Sequence, residues 1–232
     1  MRTVRFAGKV VLVAGGTGGL GRAVSRAFLE EGAQVAVTYR NPDEFAALEN
    51  IEGHLMDVTD ETAARRLVDT IVAKHNRLDV MVNTVGGYTG GPKLWESDSR
   101  AFDYMLAVNF RPGLTLARAV IPAMLREGRG AIVNVASKAA VDHQAGAAAY
   151  AASKAGVLAL MDSLAKELRG TGVRVNSVLP SIIDTEVNRR AMPKADFTKW
   201  PKPEDIARVI LFLCSDDAKV IHGAAVPVYG AS

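Results

Sequence analysis

Residues 9–32, KVVLVAGGTGGLGRAVSRAFLEEG, decide how the rest of the chain is read. Lys9 to Ala14 is a β-branched apolar run, the pattern of a strand buried on both faces of a parallel sheet. It enters Gly15-Gly16-Thr17-Gly18-Gly19-Leu20-Gly21. The residues that follow place Ala23, Val24, Ala27 and Phe28 at helical spacing, and Gly32 ends the helix. A strand, a glycine turn and a helix in that order make a phosphate cradle. Glycines permit positive φ and close approach of backbone N–H groups, and the helix N-terminus carries partial positive charge. A glycine-rich turn alone is a weak signal; its position between a buried strand and an amphipathic helix gives it weight.

The alternation continues outward from this unit. Gln34 to Tyr39 is a second strand. In dinucleotide-binding folds an acidic residue near this strand end holds the ribose 2′-OH, whereas a basic one accommodates a 2′-phosphate. Tyr39 and Arg40 occupy the region and no carboxylate appears before Asp43, so NADP(H) is favoured and NAD(H) is the alternative, with Arg40 as a plain surface residue. Gly53 to Asp57 reads as a third strand whose terminal Asp57 could reach an adenine edge. Thr59 or Asp60 caps a helix that buries Leu67, Val68, Ile71 and Val72. Leu78 to Asn83 is a fourth strand, opening into a glycine-rich loop from Thr84 to Gly91. A loop of that composition after a strand's carboxyl end is expected beside a ligand.

Phe102 to Met124 reads as one long helix interrupted at Arg111-Pro112-Gly113. Asn109 precedes the break, where its amide could exchange hydrogen bonds with freed backbone groups or hold a water. Gly130 to Ala136 is the fifth strand, with Ser137 at its end. A helix carrying Tyr150, a strand from Gly172 to Leu179, a helix from Pro203 to Cys214 and a strand from Ala225 to Tyr229 complete the pattern. Repeated βα units with short connections predict an α/β fold: one domain over residues 1–232, a doubly wound seven-stranded parallel sheet with helices on both faces.

Tyr150 and Lys154 stand four residues apart in the Ala-rich stretch AAAYAASKAG (147–156), hence on one face of a helix. An ammonium beside a phenol favours the phenolate, so Lys154 is expected to lower the proton affinity of Tyr150 and make it a usable proton donor. An exposed pair on an Ala-rich helix is the plain alternative.

Composition narrows the function classes. The 28 Lys and Arg against 25 Asp and Glu give a net charge of +3, spread without a run of five like charges, which argues against a nucleic-acid partner. Arg189 and Arg190 form the one notable basic pair. The single cysteine, Cys214, sits in an apolar helical run and reads as a core thiol. His54, His75, His143 and His222 are scattered without metal-ligand spacing, so no metal is expected. No apolar stretch approaches the ~20 residues needed to cross a bilayer, and an intracellular, cytoplasmic protein is expected.

With these motifs in hand, the chain resembles the short-chain dehydrogenase/reductase family over essentially its whole length. The family's glycine motif falls on Ala14 to Gly21, with Ala14 in place of the usual Thr, and its Asn-Asn-Ala-Gly motif on Asn83-Thr84-Val85-Gly86, which keeps the outer two residues. The active-site serine falls on Ser137, thirteen residues before Tyr150, and the active-site asparagine on Asn109. Asn176 to Thr185 matches the stretch passing the nicotinamide, with Ser181 where glycine is usual. The resemblance implies a Rossmann fold and an oxidoreductase moving a hydride between NADP(H) and a carbonyl or alcohol, a small-molecule substrate, and assembly as a homodimer or homotetramer. It makes Tyr150 the general acid/base, Lys154 its partner and the holder of the nicotinamide ribose, Ser137 the anchor of the carbonyl oxygen, and Asn109 the anchor of a proton-relaying water. Cofactor contacts are implied at Gly15, Thr17, Gly19, Leu20 and Gly21 for the pyrophosphate end, at Arg40, Asp57, Val58, Asn83 and Gly86 for the adenosine side, and at Pro180, Ile183 and Thr185 for the carboxamide end. Asn83 could instead tie strand ends together, and Thr185 could cap the next segment.

Within that family, Val85 to Gly91, Lys138 to Asp142 and Asp184 to Trp200 look like dihydropteridine reductase. Such reductases typically lack the serine found here at Ser137 and carry an acid where this chain has Tyr39 and Arg40. A dihydropteridine reductase-like activity is the alternative reading, and a non-catalytic nucleotide-sensing protein a third. Met192, Phe197 and Trp200 could close over a flat or hydrophobic substrate or pack onto the core.

Overall fold

The computed structural model describes residues 4–231, so residues 1–3 and 232 of the expected domain lie outside the described residues. Seven strands, β1 (Val10–Ala14), β2 (Gln34–Tyr39), β3 (Glu52–Leu55), β4 (Val80–Asn83), β5 (Gly130–Val135), β6 (Val173–Pro180) and β7 (Ala225–Val228), form one sheet in the order β3-β2-β1-β4-β5-β6-β7. Every pairing is parallel. Strand order reverses between β1 and β4, and in open α/β sheets the crevice beyond the strand ends at such a point is where ligands bind.

Alternation along each strand divides the core into two layers. Val10, Leu12 and Ala14 face one layer with Met81 and Ile132, against α3 (Glu61–His75), α5 (Arg111–Glu127) and α6 (Ala148–Glu167). Val11 and Val13 face the other with Val35, Val37 and Val133, against α1 (Gly19–Glu30) and α8 (Pro203–Cys214). Burying each large aliphatic side chain stabilises the fold by about 1.5–3 kcal/mol, and both faces of β1 benefit. That explains why β1 is apolar at every position instead of at alternate ones.

Several boundaries differ from the sequence reading. The third strand ends at Leu55, so Asp57 stands in the turn beyond it. The expected long helix is two, α4 (Ser99–Asn109) and α5, broken at Phe110. Pro112 does not kink a helix interior; it occupies the first turn of α5, where no N–H is needed. Two short helices stand in stretches to which the sequence assigned no element: α2 (Pro42–Ala46) and α7 (Glu186–Ala191). Asn41 caps α2 by accepting from the Asp43 N–H, and Pro42 opens it.

Away from the crevice, His222 Nδ1 accepts from the Val175 N–H at 3.1 Å while its Nε2 meets the Ala165 carbonyl, which ties β6 to α6. Cys214 is buried in α8, and burial pushes its thiol up to about 12. Arg189 and Arg190 pair with Asp184 and Glu186. Among the described residues no His, Cys, Asp and Glu cluster could hold a metal, and no helix is long and apolar enough to cross a membrane.

Candidate active site

The turn from β1 into α1 is built by backbone contacts that exclude side chains. Gly15 has φ +74°, its N–H donates to Thr38 Oγ1 at 3.0 Å, and the Gly16 N–H donates to the Thr38 carbonyl at 3.1 Å. A methyl group on Gly21 would stand 2.1 Å from the Gly15 carbonyl oxygen, and one on Gly16 would stand 2.4 Å from Val37 Cγ1. Gly18 caps α1 without a side chain, so no side-chain oxygen occupies the helix N-terminus. These features fit a pyrophosphate: a close-packed glycine turn at an open, partly positive helix end. Two distant segments border the same turn. Thr84 Oγ1 donates to the Ala14 carbonyl at 2.7 Å, and a methyl on Gly19 would lie 2.8 Å from Thr185 Cγ2. Thr185 also caps α7, accepting from the Asn188 N–H at 3.3 Å, which is one of its two expected roles. Leu20 and Val58 turn their side chains into the two core layers.

At the outer end of the crevice the Arg40 guanidinium pairs with Asp57. The Asp57 carboxyl is held below its ordinary value, first by the Thr59 N–H and then by the Thr59 hydroxyl and Arg40, against the opposing effect of burial. A carboxylate absent from the sequence reading arrives here: α2 brings Glu44 to the glycine turn, where it accepts from Thr17 Oγ1 at 3.0 Å. The Asn-Pro pair at 41–42 was the local signal that a helix starts there. Nothing local showed where Glu44 would point.

The remaining residues gather where β4, β5 and α6 meet. Asn109 is 1% exposed; its Oδ1 accepts from the Gly87 N–H and its Nδ2 donates to the Gly87 carbonyl, both at 3.0 Å. The amide therefore grips the loop after β4, not the backbone freed at Phe110. Nδ2 also lies 3.1 Å from Ser153 Oγ, which donates to the Tyr150 carbonyl at 2.7 Å. A methyl on Gly86 would stand 2.8 Å from Asn109 Oδ1 and 3.0 Å from Lys154 Nζ, so these three residues meet at one point. Lys154 is 5% exposed and donates to the Val135 carbonyl at 3.1 Å. Ser137 caps a short turn, its Oγ accepting from the Ala139 N–H at 3.1 Å.

The electrostatics of this cluster correct one expectation. Burial pushes the Tyr150 phenol above its ordinary value, the Ser137 hydroxyl partly offsets this, and the neighbouring Tyr88 adds to the rise. Lys154 does not lower it. Its own ammonium is itself disfavoured by burial, which brings it down from 10.5 to about 8, and its Nζ is directed at a backbone carbonyl. Desolvation acts on both partners, raising the phenol and lowering the ammonium.

Asn83 ties strand ends together, one of its two expected roles. Its Nδ2 donates to Asn134 Oδ1 at 2.8 Å and its Oδ1 accepts from the Val85 N–H at 3.1 Å, tying β4 to β5. Pro180 ends β6, and the Ile183 carbonyl accepts from Asn188 Nδ2 at 2.8 Å, bracing the segment that carries Thr185. Of the apolar trio, Trp200 is buried against Phe197 with ring centroids 4.9 Å apart, so it packs instead of lining an opening; Met192 and Phe197 stay partly exposed. The aromatic that does reach Tyr150 is Tyr88, edge-on at 5.0 Å and 66% exposed. Its place in the VGGYTGG loop was the available signal.

Comparison with known proteins identifies the family. The family model described as short chain dehydrogenase matches residues 9–196. The chain is 33% identical to the 3-oxoacyl-[acyl-carrier-protein] reductase FabG of Thermotoga maritima, with 98% of each chain covered. It is 34% identical to the D-threitol dehydrogenase of Mycolicibacterium smegmatis, covering 97% of this chain and 93% of that one. Among solved structures, ElxO with NADP bound superposes with TM-score 0.88 at 29% identity, covering 96% of this chain and 97% of that one. The chain belongs to the short-chain dehydrogenase/reductase family, an NAD(P)-dependent oxidoreductase on a Rossmann fold.

Proposed function

We propose that this chain is an NADP(H)-dependent carbonyl reductase or alcohol dehydrogenase, one domain over residues 1–232, in which Tyr150 is the general acid in reduction and the general base in oxidation. The observation that supports this most is the meeting of Tyr150, Ser137, Lys154 and Asn109 beside the glycine turn. Residues 15–21 and Thr185 would hold the dinucleotide, Lys154 its nicotinamide ribose and Arg40 its 2′-phosphate. When bound, it supplies a hydride to the carbonyl carbon or accepts one from the alcohol carbon.

As negative charge develops on the substrate oxygen, Ser137 Oγ–H donates to it and Tyr150 Oη–H transfers its proton, which completes the alcohol. The raised proton affinity of the phenol keeps that proton on Tyr150 at neutral pH, and Lys154, titrating near 8, is mostly protonated there. Asn109 holds Gly87 and α6 in register, fixing the wall against which the carbonyl would rest, and it would anchor the water that returns a proton to Tyr150. In the outer crevice the Arg40 charge favours NADPH over NADH.

The test is a panel of quinonoid dihydropterin, acyl-thioester ketones, simple ketones and quinones with NADPH, repeated on Tyr150→Phe. Turnover of one class by the wild type, abolished in the variant while nucleotide binding persists, is expected; full activity in Tyr150→Phe would remove it as the acid. The quinonoid dihydropterin arm decides the dihydropteridine reductase-like alternative. Tighter binding of NADPH than NADH is expected, and NADH bound about tenfold or more tightly than NADPH would overturn the cofactor preference. A cytoplasmic homodimer or homotetramer is proposed with it. Exposed Tyr104 and Leu106 on α4 and Leu125 on α5 supply apolar surface for such an interface, and sedimentation would measure it.

A further inference from the structure

Four charged side chains gather around Thr17 and the ends of β2 and β3. Arg22 donates to the Thr17 carbonyl at 3.4 Å, Arg40 pairs with Asp57, and Glu44 accepts from the Thr17 hydroxyl. The formal charges balance, two against two, but the partners do not. Asp57 is engaged by a cation and by the Thr59 N–H and hydroxyl. Glu44 accepts from a neutral hydroxyl and makes no ion pair among the described residues. Its charge therefore stands at the glycine turn without a directly paired cation, Arg22 reaching the Thr17 carbonyl instead.

The helix that carries this exposed carboxylate is also held in place. The Phe45 ring stacks on Tyr39 with centroids 4.4 Å apart and planes 3° from parallel, and a methyl on Gly53 would lie 2.2 Å from that ring. With Asn41 capping α2, the helix that carries Glu44 is clamped on both sides. A carboxylate placed there can accept from a neutral ribose hydroxyl but repels a phosphate dianion. Arg40, on the same rim, does the reverse.

We infer that Glu44 is a specificity-determining residue that opposes Arg40, holding down affinity for the 2′-phosphorylated dinucleotide and narrowing the difference between NADPH and NADH. The inference rests on the reading that residues 15–21 hold a dinucleotide. It differs from that reading in assigning the 2′-position to two residues of opposite sign instead of to Arg40 alone.

The experiment is a binding titration of NADPH and NADH, without substrate, on wild type, Glu44→Gln and Glu44→Lys, with a thermal melt of each to establish folding. In Glu44→Gln the NADPH Kd is expected to fall about tenfold while the NADH Kd changes by less than about twofold. Glu44→Lys extends the trend, and the gain shrinks as salt is raised because exposed charges are screened. An NADPH to NADH ratio unchanged within about twofold in both folded variants overturns the inference. So does a loss of NADH affinity with no gain for NADPH, because Glu44 would then be a ribose acceptor and not a source of repulsion. Failure of the wild type to bind either nucleotide is read separately and overturns the cofactor reading together with this one.

Discussion

Replacing Lys154 with methionine separates what the ammonium does for catalysis from what it costs the fold. The side chain is 5% exposed, and burial lowers its proton affinity from 10.5 to about 8. At about 1.4 kcal/mol per tenfold change in proton affinity, the charged form is disfavoured by roughly 3 kcal/mol in the folded protein relative to the unfolded chain. Below about pH 8 that penalty is fully present. Between about pH 8 and 10.5 the unfolded chain binds more protons at this site than the folded protein does, so the penalty shrinks as pH rises. Methionine has similar volume and no charge, so it removes the penalty; it also removes the hydrogen bond to the Val135 carbonyl, worth about 1.5–3 kcal/mol for a charged donor. Lys154→Met is therefore expected to be as stable as wild type or up to about 1.5 kcal/mol more stable near pH 7, while losing turnover. The sharper readout is the difference between the two proteins, in which other titrating groups cancel. Measured by urea denaturation without nucleotide, wild type should gain roughly 2 kcal/mol on the variant between about pH 7 and 9.5. A stability difference that stays flat across that range would refute the claim that Lys154 is charged, buried and desolvated.

The glycine turn and the Asn109 clasp offer further checks. Gly21→Ala places a methyl 2.1 Å from a backbone oxygen that cannot move aside, and nucleotide binding measured by titration should fall at least about tenfold with a loss of about 1–3 kcal/mol in stability. Unchanged binding would show that the turn is not the cradle. Asn109→Leu removes both hydrogen bonds that the buried amide makes to the exposed Gly87, whose backbone groups water can then take up, and denaturation should register a loss of about 1–3 kcal/mol. Hydrogen exchange in the 84–91 loop should rise with it; protection as in wild type would argue that another group holds Gly87.

The chain's local patterns carried most of the fold. Val10 to Ala14 is apolar at every position because both faces of β1 are covered, and α1, α3 and α8 declare their buried stripes at helical spacing. Errors fell where one residue serves two grammars. Pro112 reads as a breaker but sits where a helix begins, and Asn41-Pro42, just past the second strand, starts α2.

Site residues were legible as types at separations, without their partners. Ser137, Tyr150, Lys154 and Asn109 could be named in advance, yet the Asn109 partner is Gly87, 22 residues away in the chain. The direction of the Tyr150 shift was misjudged because a Tyr and a Lys one helical turn apart imply attraction, while burial is the sum of every element packed around them.

Sequence alone determined the strand–helix alternation, the glycine turn and the list of residues able to do chemistry, because those depend on steric limits and periodicities a few residues long. Only the tertiary structure decided that Glu44 reaches Thr17, that Trp200 is core, that Tyr88 faces Tyr150, and that desolvation governs the Tyr150–Lys154 pair. Each of these is a distance or a dielectric environment created by packing between segments that no local pattern connects.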